Sequence, residues 1–145
     1  MNEGDRGLGL GSHRPDQVRV SPALKHVATE VVQRLASKMP DMQCCVISTE
    51  DGFEMATYIR HSGVVTSRLS AMASSMASLG VIVGEENKLG TCSNMTIEAE
   101  RGFIVMLHVR RPDITLVLSV VTTKKTVLGQ LLYEAREVVK ILEKA

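Results

Sequence analysis

The 145-residue chain has no tryptophan, and its two tyrosines and two phenylalanines bring the aromatic fraction to only 3%. Any core must therefore be aliphatic, and an apolar fraction of 44% is enough to build one of Val, Leu, Ile, Met and Ala. An excess of charge is lacking too. A net charge of +1 argues against a dedicated nucleic-acid binder, which needs a concentrated basic face. Lys124-Lys125 and Arg110-Arg111 are isolated pairs and read as solvated turns. No apolar run is long enough to span a bilayer, and the first residues carry no hydrophobic signal core. A cytoplasmic protein without membrane insertion is expected. The three cysteines show no C-x-x-C spacing and read as structural thiols. Cys44 and Cys45 are adjacent, so on a strand they point to opposite faces and cannot readily pair.

Catalytic signals are equally sparse. His13, His26, His61 and His108 fall in a tail, a helix, a loop and a strand, without the H-x-x-x-H spacing of a metal site. His108 reads as a satisfied core residue. Asp51 and Asp113 sit in turns, where their side chains support the local backbone, and Glu50 beside Asp51 reads as a turn pair. There is no G-x-x-x-x-G-K-[ST] loop and no G-x-G-x-x-G after a strand. Gly7, Gly9 and Gly11 lie in the tail. No serine has the G-x-S-x-G setting of a nucleophile elbow. No catalytic residue, metal ligand or cofactor is assigned, and the protein is expected not to be an enzyme.

What the chain does contain is a helix unusually rich in small residues, over Val65 to Lys88. Leu69, Met72, Met76, Leu79 and Val83 recur at three- and four-residue spacings along one helical stripe. Ala73, Ala77, Gly80 and Gly84 run beside it at the same spacings. Thr66 or Ser67 is the expected cap, and Glu85 to Lys88 form the polar end. Small residues let a second backbone approach closely, so this helix packs on its own sheet and is also a candidate to meet another protein.

The remaining elements follow in order. Residues 1–20, rich in glycine and charge, read as a disordered tail ahead of a domain spanning 21–145. Ser21-Pro22 opens a helix with the stripe Leu24, Val27, Ala28, Val31 and Leu35, ending near Met39-Pro40. Gln43–Thr49 is a strand, Glu50-Asp51-Gly52 a turn, and Phe53–Ile59 the returning strand, alternating apolar Phe53, Met55, Thr57 and Ile59 with Glu54, Ala56 and Tyr58. Cys92–Ala99, Phe103–Val109 and Ile114–Val121 are three further strands. The last is apolar on both faces and belongs in mid-sheet under helices on both sides. Thr122 or Thr123 begins a final helix with the stripe Val127, Leu128, Leu131, Leu132, Ala135, Val138, Val139 and Leu142. The expected fold is α+β: a five-stranded, mainly antiparallel sheet with the central helix on one face and the two terminal helices on the other.

This order, together with three passages, resembles the roadblock family, which includes roadblock-type dynein light chains and bacterial regulators of Ras-like GTPases. The passages are Val46-Ile47-Ser48-Thr49-Glu50-Asp51-Gly52-Phe53-Glu54-Met55-Ala56, then Leu69-Ser70-Ala71-Met72-Ala73-Ser74-Ser75, then Leu118 followed by Leu128-Gly129. The resemblance covers about Pro22 to Leu142. It implies a homodimer with central helices side by side, and it gives Ala73, Ala77 and Gly80 a reason to be small. Members similar to the gliding-motility protein B bind a small GTPase across the dimer and can promote GTP hydrolysis by repositioning the GTPase's own groups. Arg68, Arg110 and Arg111 are accordingly not assigned as arginine fingers.

The expectation is a non-catalytic homodimeric adaptor that binds a Ras-like small GTPase. Its dimer and partner interface is drawn over Leu69, Met72, Ala73, Met76, Ala77, Leu79, Gly80 and Val83. The alternatives are a scaffold without GTPase regulation and a small-ligand sensor with a pocket in the sheet or beneath the central helix, lined by Met and Cys.

Overall fold

The computed structural model describes residues 20–60 and 63–145. The expected tail, apart from Val20, falls outside these residues, as do His13 and His61. Helix α1 (Pro22–Lys38) starts as its sequence dictates: the Ser21 hydroxyl accepts from the Leu24 N–H at 3.1 Å, with proline at the first helical position. Strand β1 (Met42–Thr49) returns as β2 (Glu54–Ile59) through a turn in which Gly52 holds a φ of 94°. Helix α2 (Thr66–Glu86) follows, then β3 (Asn94–Ala99), β4 (Gly102–Arg110), β5 (Thr115–Thr123) and helix α3 (Leu128–Lys144). All strand pairs are antiparallel, in the order β2-β1-β5-β4-β3. The doubly apolar β5 lies at the centre, as its sequence requires.

Alternation along the strands divides the core in two. Cys45 and Ile47 of β1, Val105, Leu107 and Val109 of β4, and Leu116, Leu118 and Val120 of β5 pack with α1 and α3. Cys44, Val46, Met106 and Val117 point the other way and meet Leu69, Ala73 and Ala77 of α2. The two helix layers therefore sit on opposite faces, and the adjacent thiols are divided between them. Burial pushes the Cys44 thiol up to about 11 and raises Cys45 further, so both are inert at neutral pH. The α2 side is the more polar. The hydroxyls of Ser48, Ser70 and Ser119 are buried there without a hydrogen-bond partner among the described residues.

Several local expectations are corrected. The alternation expected in β2 is broken by a register shift opposite Ile47/Ser48, where Ala56 pairs with Ile47 but Glu54 pairs with Ser48. Met55 is the extra residue of this bulge. Met55 and Ala56 both join the α1–α3 core and Tyr58 packs beside them, while Phe53 and Ile59 are exposed. Thr122 and Thr123 do not open the last helix. They extend β5, paired with Phe103 and Gly102, and α3 begins after Val127, whose side chain stays exposed. Neither Thr66 nor Ser67 caps α2; Val65 holds the cap position without a side-chain hydrogen bond. The strand expected from Cys92 pairs only from Asn94.

The reading of Arg110-Arg111 as a solvated pair is also corrected, because Arg111 closes the end of α3. Its Nη1 donates to the carbonyls of Leu142 and Ala145 at 2.5 and 2.7 Å, and its Nε bonds Asp113 at 3.0 Å. This hydrogen bond holds the Asp113 carboxyl below the usual carboxylate range. Arg60 does the same for α1. Its guanidinium donates to the carbonyls of Ala36 (3.0 Å), Met39 (3.1 Å), Pro40 (2.6 Å) and Met42 (2.9 Å). Carbonyls at a helix end have no intrahelical partner, and a cation there also meets the negative end of the helix dipole. Arg60→Ala should lower stability by about 1–3 kcal/mol, with Arg60→Lys recovering only part, because an ammonium cannot span four carbonyls. Urea denaturation of the three proteins checks both the loss and the order.

Candidate functional site

Two stripes on α2 share the same spacing and lie one residue apart, about 100° around the helix. The structure seats the smaller one on the sheet. Ala73, Ala77, Gly80 and Gly84 are buried, together with Leu69 and Ser70 at the first turns. A Cβ at Gly84 would lie 2.5 Å from the Gly90 carbonyl oxygen, and one at Gly80 would lie 2.9 Å from both Cys92 Sγ and Met95 Sδ. The chain leaving α2 thus folds back across it, and Gly90 makes that turn with a φ of 86°. The small residues are small because their own sheet and loop come close.

Seating the small stripe turns the larger one outward. Met72 is 56% exposed, Leu79 48% and Val83 48%, with Val65 also exposed ahead of the first turn. Met76 is half-buried against the sheet. The eight residues assigned to an interface therefore divide. Leu69, Ala73, Ala77 and Gly80 are occupied within the chain, and Met72, Leu79 and Val83 lie on its surface, with Met76 between the two groups. Spacing carried no signal for this division, because both stripes have the same helical period.

Beside the exposed stripe is an apolar groove of about 420 Å³ between α2 and the β3–β4 hairpin, lined chiefly by Leu69, Met72, Met76, Ile97, Ile104 and Met106. It contains methionine, as a pocket under this helix was expected to, but no cysteine. Its outer wall is β3, an edge strand with Ile97 partly exposed. Exposed apolar residues scattered singly need no explanation, whereas a contiguous run along a helix and the adjoining sheet edge is a candidate interaction surface.

His108 lies on the same face of the sheet, and it is not the satisfied core residue expected. Its Nδ1 is buried with no hydrogen-bond partner among the described residues. Burial and then the neighbouring Arg110 cation lower its pKa, against weaker opposing contributions from the carbonyls of Ala77 and Ser93 and the carboxylate of Glu50. No group of three or more His, Cys, Asp or Glu residues is placed to hold a metal ion among the described residues. None of their helices is long and apolar enough to cross a membrane.

The five-stranded antiparallel sheet with its three helices matches solved structures of the roadblock fold. Myxococcus xanthus MglB superposes with a TM-score of 0.75 at 15% identity, over 88% of this chain and 92% of that one. The gliding protein MglB of Thermus thermophilus gives 0.75 at 12% identity, over 91% and 96%. A Roadblock/LC7 domain from Streptomyces avermitilis gives 0.68 at 18% identity, over 77% and 91%. No protein-family model and no curated protein sequence matches the chain. The likeness is one of fold.

The seating of α2 ranks two glycine substitutions. Gly84→Ala should cost about 1–3 kcal/mol, because the new methyl meets backbone that cannot yield, whereas Gly80→Ala meets side-chain sulfurs and should cost less. Thermal melts of the pair test the order. For His108, the imidazole is neutral in both folded and unfolded chains well above pH 6.5. As pH falls through 6.5, the unfolded chain takes up its proton first, so stability declines until the pH passes the lower folded pKa. A urea series from neutral to mildly acidic pH should show that decline, and His108→Gln should flatten it.

Proposed function

We propose that the chain is a cytoplasmic, non-catalytic homodimeric adaptor that binds a Ras-like small GTPase and modulates its GTP hydrolysis. The observation that carries this reading is the exposed apolar stripe Met72, Leu79 and Val83, continuous with the open edge of β3. Two copies placed with these faces together bury the stripe twice, and each Å² of apolar surface removed from water contributes on the order of 25 cal/mol. Leu69, Ala73, Ala77 and Gly80 act from beneath by setting the rotation of α2, and Met76 gives the face an adaptable side chain. The GTPase half of the proposal is supported by the roadblock fold and by the likeness to MglB. In this reading the adaptor repositions groups of the GTPase and supplies no arginine finger, in keeping with the engagement of Arg111 at the end of α3.

The double variant Met72→Glu/Leu79→Glu replaces two exposed side chains and should stay folded. Light scattering over a micromolar concentration range should show a wild-type dimer and a variant monomer. The monomer should also lose binding to GTP-loaded GTPases in a purified Ras-like panel. A folded variant that remains dimeric removes the α2 face from the proposal. A wild-type dimer that neither binds nor changes hydrolysis by any panel member removes the GTPase partner and leaves a scaffold.

The apolar groove between α2 and the β3–β4 hairpin favours a second reading, a small-ligand sensor. Its lining of three methionines and few polar groups fits a flat apolar molecule better than a charged one. A thermal-shift screen with nucleotides, haem and flavins separates the readings, since a ligand bound only by the folded chain raises its melting temperature.

A further inference from the structure

On the other flank of α2, away from Met72 and Val83, a second cleft of about 350 Å³ opens between the helix and the strand ends. Glu50 at the end of β1, Arg110 at the end of β4, and Ser78, Val81 and Ile82 of α2 line it, with His108 at its floor. The Ser74 hydroxyl donates to the Glu50 carbonyl and ties the β1–β2 turn to the helix, so the wall bearing Glu50 is fixed in place. Glu50 and Arg110 share the cleft but form no ion pair with each other or with any other described residue. The Arg110 guanidinium likewise makes no hydrogen bond among the described residues, while its backbone pairs with Thr115 in the sheet and its N–H donates to the Glu143 carboxylate at 3.1 Å.

One cation and one anion left unpaired in a single cleft match a ligand that carries both charges. His108 does not disturb this balance at neutral pH, because burial and Arg110 hold it in the neutral form. An anion alone would face the Glu50 carboxylate, and a cation alone would face Arg110. In the same cleft the Ser78 and Thr115 hydroxyls can donate or accept, and Val81 and Ile82 offer an apolar wall. We propose that this cleft binds a free α-amino acid with an apolar side chain, Arg110 taking the carboxylate, Glu50 the ammonium, and Val81 with Ile82 the side chain. A guanidinium presents two parallel N–H groups to a carboxylate, a geometry that an ammonium at this position would not offer. The inference is independent of the dimer and GTPase proposal, because the two surfaces lie on different flanks of α2.

The test is an amide-resolved NMR titration of the full chain with L-leucine, with 4-methylpentanoate, which lacks the ammonium, and with isoamylamine, which lacks the carboxylate. L-Leucine should shift the amides of Ser78, His108 and Thr115 saturably in the millimolar range. Each single-charge analogue should bind about tenfold more weakly or worse. Arg110→Gln and Glu50→Gln alter exposed side chains and keep the backbone contacts, so each should retain the wild-type melting temperature while weakening L-leucine about tenfold. Three outcomes overturn the proposal: no saturable shift with L-leucine, binding of 4-methylpentanoate as tight as that of L-leucine, or undiminished binding by both folded variants.

Discussion

The closeness with which α2 lies on its sheet and on its own returning loop governs the rest of the molecule. At Gly84 the Gly90 carbonyl comes so near that no side chain fits, and at Gly80 two sulfur atoms occupy the space where a methyl would be. A helix held this tightly at its small residues has no freedom to rotate. Met72, Leu79 and Val83, one position away, are carried to the surface as a consequence, while Leu69 at the first turn stays buried. The exposed stripe is thus a geometric result of how the core is closed, and the proposed function depends on that geometry.

The two faces of the sheet are built differently, and the difference suits their tasks. On the α1–α3 side the strands present valine, leucine and isoleucine to two helices, each closed at its C-terminal end by an arginine from a neighbouring loop or strand end. On the α2 side the buried surface is thinner and includes three serine hydroxyls with no partner among the described residues. Apolar burial contributes in proportion to area, so the first face supplies most of the hydrophobic stabilisation. The second holds a helix whose outer flank remains available. The larger core and the proposed recognition surface thus fall on opposite sides of one sheet.

Much of this architecture was legible in the residues. Ser21-Pro22 announced α1, Gly52 announced the first hairpin, and the doubly apolar run from Ile114 to Val121 identified the central strand. The misread details share a cause, namely partners far away in sequence. The β2 alternation failed because a bulge opposite Ile47 shifted its register. Thr122 and Thr123 continued a strand because Phe103 and Gly102 were waiting to pair with them. Arg111 looked solvated until the end of α3, more than thirty residues on, was brought beside it.

The candidate site shows the same boundary most clearly. The sequence by itself determined that α2 is a helix with a large apolar stripe and a small one, since both follow from spacing and side-chain size. Spacing alone could not determine which stripe meets the sheet, because two stripes about 100° apart have the same period and hydrophobicity favours burying the larger. Only the tertiary structure decided it. The sheet face beneath α2 was already filled by Val46, Met106 and Val117, and the returning chain crossed at Gly90, so that beyond Leu69 at the first turn the tightest positions admitted only alanine and glycine.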